Sequence, residues 1–550
     1  MRKTIADYIF PNLKSTEADL REKYPKRNLP AEAMVLRFAP SPTGFMHIGG
    51  IYTAQLCHKL AKQSGGIYYL RLEDTDQKRE VEGAIDLILK SLATFGLTPD
   101  EGEQLDGTEK GTYGPYKQSA RKDIYHVFVK KLVEEGKAYP CFCKEEELKA
   151  KSEVQTAQKI RPGYYGQWAA CRNKTLEERL ELISKGEPYI IRYLSEGKES
   201  RRITLSDICR GKLNFPENDS DVIIMKSDGL PTYHFAHVID DELMGTTHVI
   251  RGDEWLPSLP VHVQLFEAMG WEAPRYAHVA PIQKQEGESK RKLSKRKDPE
   301  ASMGYYLEHG YPKEALLEYL LNLANSSFEP WRRANPKLPY SDFHLELNKL
   351  GVSGMLLDMG KLDNISKNII SGMNTETLLG LLLPWAQEYA KDFYEHLTSN
   401  LEFAKQILSI ERTEQGARKD IATWADVPDL MSFFFDDQLD MSHANELLHD
   451  YSNETIHDTI RLFLETYNEQ DSKEQWLEKI KNFSETLGYA KETKLFKEQP
   501  EKYIGHFGEM TKILRVGVSG RNQTPDLFEV MRVLGKERVR ERLENMNKDF

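Results

Sequence analysis

The chain reads as an α/β domain built on an open parallel sheet, interrupted by an α+β insertion and followed by an all-helical second half. Three features point to this. A strand–turn–helix–strand unit occupies residues 34–72. Strand-like and helix-like stretches then alternate to about residue 310. From about Tyr311 helical periodicity takes over and strand-like alternation stops. At 550 residues the chain is too long for one core, so several domains are expected. A formal net charge of -11 argues against a generally basic nucleic-acid coat, so a polyanionic partner needs a local basic face. No apolar run is long enough to span a membrane. The first 33 residues carry acids and bases throughout and lack the apolar stretch of a secretory leader. Five cysteines, an odd and sparse set, suit reduced thiols in the cytoplasm.

Residues 1–33 form a short polar extension, helical around Thr16 to Tyr24. The apolar run Met34 to Phe38 is a buried strand. Pro40-Ser41-Pro42-Thr43-Gly44 then forces a turn, and a helix runs from Ile48 to about Gln63, stopped by Gly65-Gly66. The free N–H groups and dipole of that helix start favour an anion such as phosphate. His47 and the pair Gly49-Gly50 stand at its mouth. Ile67 to Leu72 is the second strand, and the unit places both strands side by side in one parallel sheet. It ends in Glu73-Asp74-Thr75-Asp76, where an open sheet of this kind places its ligand crevice. Asp76 suits the N-cap of a helix starting near Lys78, whereas Glu73 points into the crevice.

The segment 116–190 carries helices over Gln118 to Glu135 and Lys144 to Lys159. It also carries Cys141-Phe142-Cys143, with Cys171 following a Gly/Tyr-rich loop. Three such sulfurs suit zinc, which asks for four ligands. The fourth is not evident, because Asn173 is a poor donor and Tyr165 an unusual one, and three plain thiols remain an equal reading. Tyr189 to Leu194 and Ile203 to Leu205 read as strands around a charged hairpin, and Asp221 to Lys226 as a further strand. Thr247 to Arg251 is a core strand and Pro257 to Met269 an amphipathic helix. Arg37 and Arg251 each end a strand at the crevice, and two guanidinium forks there suit a carboxylate. Glu73 opposite them suits an ammonium, so the crevice fits an amino acid with an acidic side chain. The run Lys290 to Lys297 embeds Lys-Leu-Ser-Lys-Arg, an apolar anchor and a small hydroxyl between cations. A loop of that kind can close on a triphosphate and neutralise a leaving pyrophosphate.

In the second half, Pro384 to Asn400, Leu401 to Ile410 and Asn445 to Tyr467 are amphipathic helices, and two bundles divided near residues 372–386 are expected.

Pro40 to Gly50 together with Lys292 to Arg296 resembles the two ATP motifs of class I aminoacyl-tRNA synthetases. With Arg37-Phe38-Ala39, Leu72-Glu73-Asp74-Thr75-Asp76, Arg251-Gly252-Asp253-Glu254-Trp255 and the segment Leu514 to Leu543, the chain resembles bacterial-type glutamyl-tRNA synthetases over roughly residues 34–550. That resemblance implies a Rossmann-like catalytic domain over 34–109 and 221–310, and an acceptor-end-binding insertion over 110–220. It further implies a helical stem-contact domain over 311–385 and an anticodon-binding domain over 386–550. It implies ATP with Mg2+, possible Zn2+ at Cys141, Cys143 and Cys171, L-glutamate, tRNA(Glu) and a cytoplasmic monomer, and leaves open tRNA(Gln) as a second substrate. By the same resemblance Pro40, His47, Gly49, Gly50, Glu254, Ile282, Lys292, Ser294 and Lys295 meet ATP, with His47 and Lys295 catalytic. Arg37, Ala39, Ser41, Glu73, Tyr233 and Arg251 line the glutamate pocket. The first motif ends Gly49-Gly50 in place of glycine–histidine, and His237 stands where some relatives carry a polar pocket residue. Asn173 stands where zinc-bearing relatives have histidine, and the N-terminal extension has no evident counterpart. A shorter tRNA-modifying relative would lack residues 311–550, and a non-catalytic paralogue should have lost His47, Glu73 or Lys295.

Overall fold

The computed structural model describes residues 4–294, 296–413 and 417–550. The chain forms two compact units, one of residues up to 305 with 317–358, the other of 306–316 with 359–550.

In the first unit, β1 (Val35–Phe38) and β2 (Ile67–Leu70) lie parallel, with Arg37 opposite Tyr69, and α1 (Ile48–Ser64) joins them. Helix α1 stops at Gly65, whose φ of 65° is left-handed. At Gly66 a Cβ would lie 1.9 Å from the Met34 carbonyl oxygen, so only glycine lets the chain re-enter the sheet there. Further along are β3 (Arg202–Asp207), α2 (Tyr233–Leu243), β4 (His248–Gly252), α3 (Leu259–Met269) and β5 (Arg275–Val279). Strand β5 is parallel to β4, with Arg251 opposite His278, and meets β3 through one register pair, Tyr276 with Asp207. The N–H of Thr247 donates to the Val35 carbonyl at 3.0 Å, and the Val35 N–H donates to Thr247 Oγ1 at 2.9 Å. This link sets β4 beside β1, so Arg37 and Arg251 end neighbouring strands at the same edge, as the crevice requires. The hairpin β6 (Ile282–Glu286) and β7 (Ser289–Lys292) leads into the basic run.

Several expectations need correction. Asp76 stands at the N-cap of only a 3-10 turn, Gln77–Arg79, and makes no side-chain cap there, accepting instead from Arg79 Nε at 2.6 Å, and the next α-helix is Ala84–Thr94, entered through Gly83. The strand Ile190–Tyr193 does not pair with β3. It lies between Ala138–Cys141 and Ile223–Met225 in an antiparallel insertion sheet, whereas β3 pairs with Gly211–Pro216. Helical texture past residue 311 concealed Met355–Leu356, a strand parallel to β6.

The extension is not a loose polar arm. Its helices Ile5–Ile9 and Glu17–Lys23, the second as expected, bury Ala6, Ile9, Phe10, Leu20 and Tyr24 in one core with Phe128 and Phe235. Arg27 donates from both Nη atoms to Glu101 at 2.7 Å, with its guanidinium 3.8 Å over the Tyr113 ring.

In the second unit, one apolar cluster includes residues on both sides of 385, from Ile370 to Met546. The helix expected over 384–400 is two, Thr375–Tyr389 and Lys391–Ser399, and that over 445–467 is Ala444–Leu447 and Asn453–Thr466. In the latter case Ser452 restarts the helix, its side chain accepting from the Thr455 N–H at 3.1 Å.

Candidate active site

Alternation along the second strand and its extension puts Arg71 and Glu73 on one face. Arg71 is fully buried and donates to Glu73 Oε1 at 2.9 Å and to Asp241 Oδ1 at 2.5 Å. Arg37, 3% exposed, reaches the same Asp241 through Nε at 3.3 Å to each oxygen. Burial disfavours the Asp241 carboxylate, but Arg71 and Arg37 outweigh it and hold the group well below the usual carboxylate range. Burial pushes Glu73 up, with Arg71 and then Arg37 opposing. Its Oε1 is taken by Arg71, and Oε2 carries no hydrogen bond among the described residues. Arg37 is therefore already paired with a carboxylate.

Arg251 is different. Its Nε donates to His278 Nε2 at 3.0 Å, and its Nη1 reaches Tyr233 Oη at 3.2 Å and His262 Nδ1 at 3.1 Å. The buried Nη2 has no hydrogen-bond partner, and no carboxylate lies at ion-pair distance among the described residues. A buried guanidinium held only by neutral acceptors is an uncompensated cation, which favours an incoming carboxylate. Tyr233 packs against Trp255 with ring centroids 4.3 Å apart, walling the same space. Ala39 and Pro40 are half-buried and Ser41 exposed, and the Pro40 carbonyl accepts from the Glu73 N–H at 3.0 Å.

His237 is buried, with Nε2 2.9 Å from Tyr276 Oη and Nδ1 2.9 Å from Asp241 Oδ2. Burial outweighs Asp241 and lowers it to about 3. Burial likewise lowers His234, His262 and His278. The unfolded chain takes up these protons near the ordinary imidazole value and the native chain only below it, for His237 not until about pH 3. Their stabilisation is therefore present above about pH 6.5 and lost as pH falls, for His237 down to about 3 with a slope on the order of 1 kcal/mol per pH unit. The melting temperature should drop between pH 7.5 and pH 5, and less so in His237→Asn. An equal drop in both proteins would remove His237 from the account.

At the phosphate end, His47 is the N-cap of α1, and its Nδ1 accepts from the Gly49 N–H at 3.0 Å. A Cβ at Gly49 would come within 3.3 Å of that nitrogen, whereas one at Gly50 would make ordinary contacts at 3.5 Å. Gly49 is thus the position that keeps the His47 ring against the helix start. His47 forms a backbone bridge to Ser302, and the Met303 N–H donates to the Met46 carbonyl at 3.0 Å. The chain just past the basic run thereby returns to the first motif. Within the run, buried Asp298 accepts from Arg291 Nη1 at 2.6 Å and Nη2 at 2.8 Å, and from the Ser294 N–H at 2.9 Å. The Arg291 hydrogen bonds hold its carboxyl well below the usual range. Leu293, 4% exposed, is the apolar anchor, and its N–H donates to the Ile282 carbonyl at 3.0 Å. Lys292 pairs with Glu254 at 3.1 Å on the surface. Lys295 lies outside the described residues.

The three cysteine sulfurs lie within 4.8 Å of one another, Cys143 Sγ being 3.6 Å from Cys171 Sγ. The Tyr164 hydroxyl is 3.3 Å from both Cys141 Sγ and Cys143 Sγ. Four donors around one zinc stand roughly 3 to 4 Å apart, as bond lengths of about 2.0 to 2.3 Å in a tetrahedron dictate. The set fits. The oxygen that stands beside the three sulfurs is that of Tyr164, not of Tyr165 or Asn173. Tyr165 instead directs its hydroxyl to the Arg161 carbonyl at 2.5 Å.

Sequence reasoning missed Arg71, Asp241, His262 and His278. Strand alternation from Glu73 would have found Arg71, and the i, i+4 helical spacing from His237 would have found Asp241. His262 and His278 carry no local signal and meet Arg251 only through the fold.

Residues 33–329 match the family of class I tRNA synthetases for E and Q, catalytic domain, and residues 377–547 match an anticodon binding domain. A glutamate–tRNA ligase of Clostridium perfringens (strain 13 / Type A) is 48% identical over 543 residues, covering 98% of this chain and 100% of that protein. Most of the extension therefore has a counterpart in that relative, correcting the expectation that it had none. A glutamate–tRNA ligase of Acetivibrio thermocellus is 42% identical, covering 99% of each chain. The crystal structure of a glutamate tRNA ligase from Elizabethkingia meningosepticum, in complex with its amino acid, superposes with a TM-score of 0.76 at 29% identity. That match covers 94% of this chain and 99% of the other. With a catalytic domain of that class, an anticodon-binding region and relatives matched end to end, the chain belongs to the glutamate–tRNA ligase family of class I tRNA synthetases.

Proposed function

We propose that Arg251 is the principal receptor for the side-chain carboxylate of glutamate, in an enzyme that ligates L-glutamate to tRNA using ATP. The observation that carries this assignment is the buried guanidinium with no carboxylate partner and an unpartnered Nη2. Glu73 takes the ammonium through its open Oε2, while Arg37 acts mainly by fixing Asp241 and adding positive potential. Ala39, Ser41 and Tyr233 complete the pocket. His47, Pro40, Gly49 and Gly50 face the triphosphate at the start of α1, Glu254 and Ile282 bound the nucleoside, and Lys292, Ser294 and Lys295 cover the phosphates. The glutamate α-carboxylate attacks the α-phosphorus of ATP, giving the adenylate and diphosphate, and the acyl group then passes to the terminal adenosine of the tRNA. The protein positions these reactants and stabilises phosphate charge, with Mg2+ accompanying the nucleotide.

Residues 110–220 meet the acceptor end, 311–385 the stem and 386–550 the anticodon, in a monomer working in the cytoplasm. The basis for the last role is the anticodon-domain match, since an anticodon loop offers splayed bases for stacking and hydrogen bonding. Charging purified tRNA(Glu) and tRNA(Gln) side by side with labelled glutamate tests the reading. Acid-precipitable glutamate on tRNA(Glu) is expected, and its absence would overturn the function. Label on tRNA(Gln) as well would define a non-discriminating enzyme.

Cys141, Cys143, Cys171 and Tyr164 are assigned to a structural zinc, which would cross-link the strand end at Cys141 to the loop before Cys171. One zinc per chain is expected by atomic absorption, with Cys143→Ser lowering both zinc content and melting temperature. Metal-free protein whose melting is unchanged by added zinc would contradict this.

A further inference from the structure

A guanidinium has donors only, so an imidazole nitrogen facing one must carry no proton. Arg251 Nε faces His278 Nε2 at 3.0 Å, which places the proton of the neutral ring on Nδ1. That nitrogen lies 2.7 Å from Asp207 Oδ2, which also accepts the His278 backbone N–H at 3.0 Å. The other oxygen, Oδ1, accepts the N–H groups of Cys209 and Arg210, each at 3.0 Å. Asp207 is thus 4% exposed and fixed through both oxygens, and His278 is fully buried. Asp207 ends β3, and its pairing with Tyr276 is the single register contact between β3 and β5.

We propose that Asp207 and His278 are positioning residues for the glutamate side chain, aiming the Arg251 guanidinium without neutralising it. A carboxylate placed directly on Arg251 would orient it equally well but would occupy the charge that the substrate needs. One imidazole in between separates these effects. Asp207 selects the tautomer and ring angle, His278 offers a neutral lone pair, and Nη2 stays open. Arg37 illustrates the alternative, with Asp241 directly on its Nε.

This inference rests on Arg251 binding glutamate, so the experiment includes Arg251→Ala. Steady-state aminoacylation would be measured for the wild type, D207N, H278Q, H278L and R251A, varying glutamate and ATP separately. D207N is expected to raise the KM for glutamate about tenfold, as loss of a hydrogen bond to a charged group does, with kcat and the KM for ATP within about twofold. H278Q, whose amide oxygen can accept from Arg251 Nε, should stay nearer the wild type than H278L. The D207N/H278Q double variant should be no worse than H278Q, since both act through one relay. A glutamate KM in D207N within twofold of wild type, or an equal rise for ATP, overturns the relay. Should D207N fail to fold, equal glutamate KM values for H278Q and H278L overturn it instead. An unchanged glutamate KM in R251A would overturn the pocket assignment itself. A large effect in R251A without one in D207N and H278L would leave the pocket standing and remove only the relay.

Discussion

Arg251→Ala is expected to raise the KM for glutamate about a hundredfold or more, because truncating one member of a buried charge pair costs several kcal/mol. The cost to folding should be small by comparison. Its present neighbours Tyr233, His262 and His278 accept hydrogen bonds without bearing charge, so removing the guanidinium strands no buried ion. Arg37→Ala should behave in the opposite way. It removes one of two cations holding buried Asp241, so lost stability should accompany lost binding. Kinetics paired with thermal melting separates the two, and a stable R251A with a wild-type glutamate KM would show that the carboxylate lies elsewhere. Arg251→Lys keeps the charge but not the planar fork, and an intermediate KM is expected.

Lys295→Ala should lower the rate of adenylate formation about a hundredfold or more, the scale of losing one preorganised group that stabilises charge in the transition state. Pyrophosphate exchange run with tRNA present reads this step directly. The surroundings support the role. Leu293 anchors the run in the core, Asp298 holds Arg291 and the Ser294 N–H, and the chain then returns to His47 through Ser302. The run is thus held at its start by Ile282 and Asp298, and the chain that follows it is tied to the first phosphate motif. Unchanged exchange in the variant would remove Lys295 from the chemistry.

Much of this was legible from local pattern. The strand at 34–38, the helix from Ile48 and the Gly65 stop were all readable, because apolar runs and glycine act over a few residues. So were the positions of Arg37, Glu73 and Arg251 at strand ends, since strand ends point to the crevice. What stayed hidden was pairing at a distance. Arg37 and Arg251 looked equivalent in sequence, yet Asp241 sits on one and not on the other, and only the docking of α2 against the sheet decides which. Tyr164 was passed over for Tyr165 because a one-residue step in an irregular loop has no periodicity to say which ring turns inward. The buried extension was misread for a similar reason. Its apolar residues Ile9, Phe10, Leu20 and Tyr24 are spread among charges and meet one core only after folding. The change of texture read at residue 311 falls in the stretch where the chain passes from one unit to the other.

The most direct test of the central claim is a crystal structure with glutamate bound. The side-chain carboxylate should lie within hydrogen-bond distance of Arg251 Nη2, with Arg37 still on Asp241 and the ammonium at Glu73. A carboxylate seated on Arg37, with Arg251 out of contact with the ligand, would contradict the account.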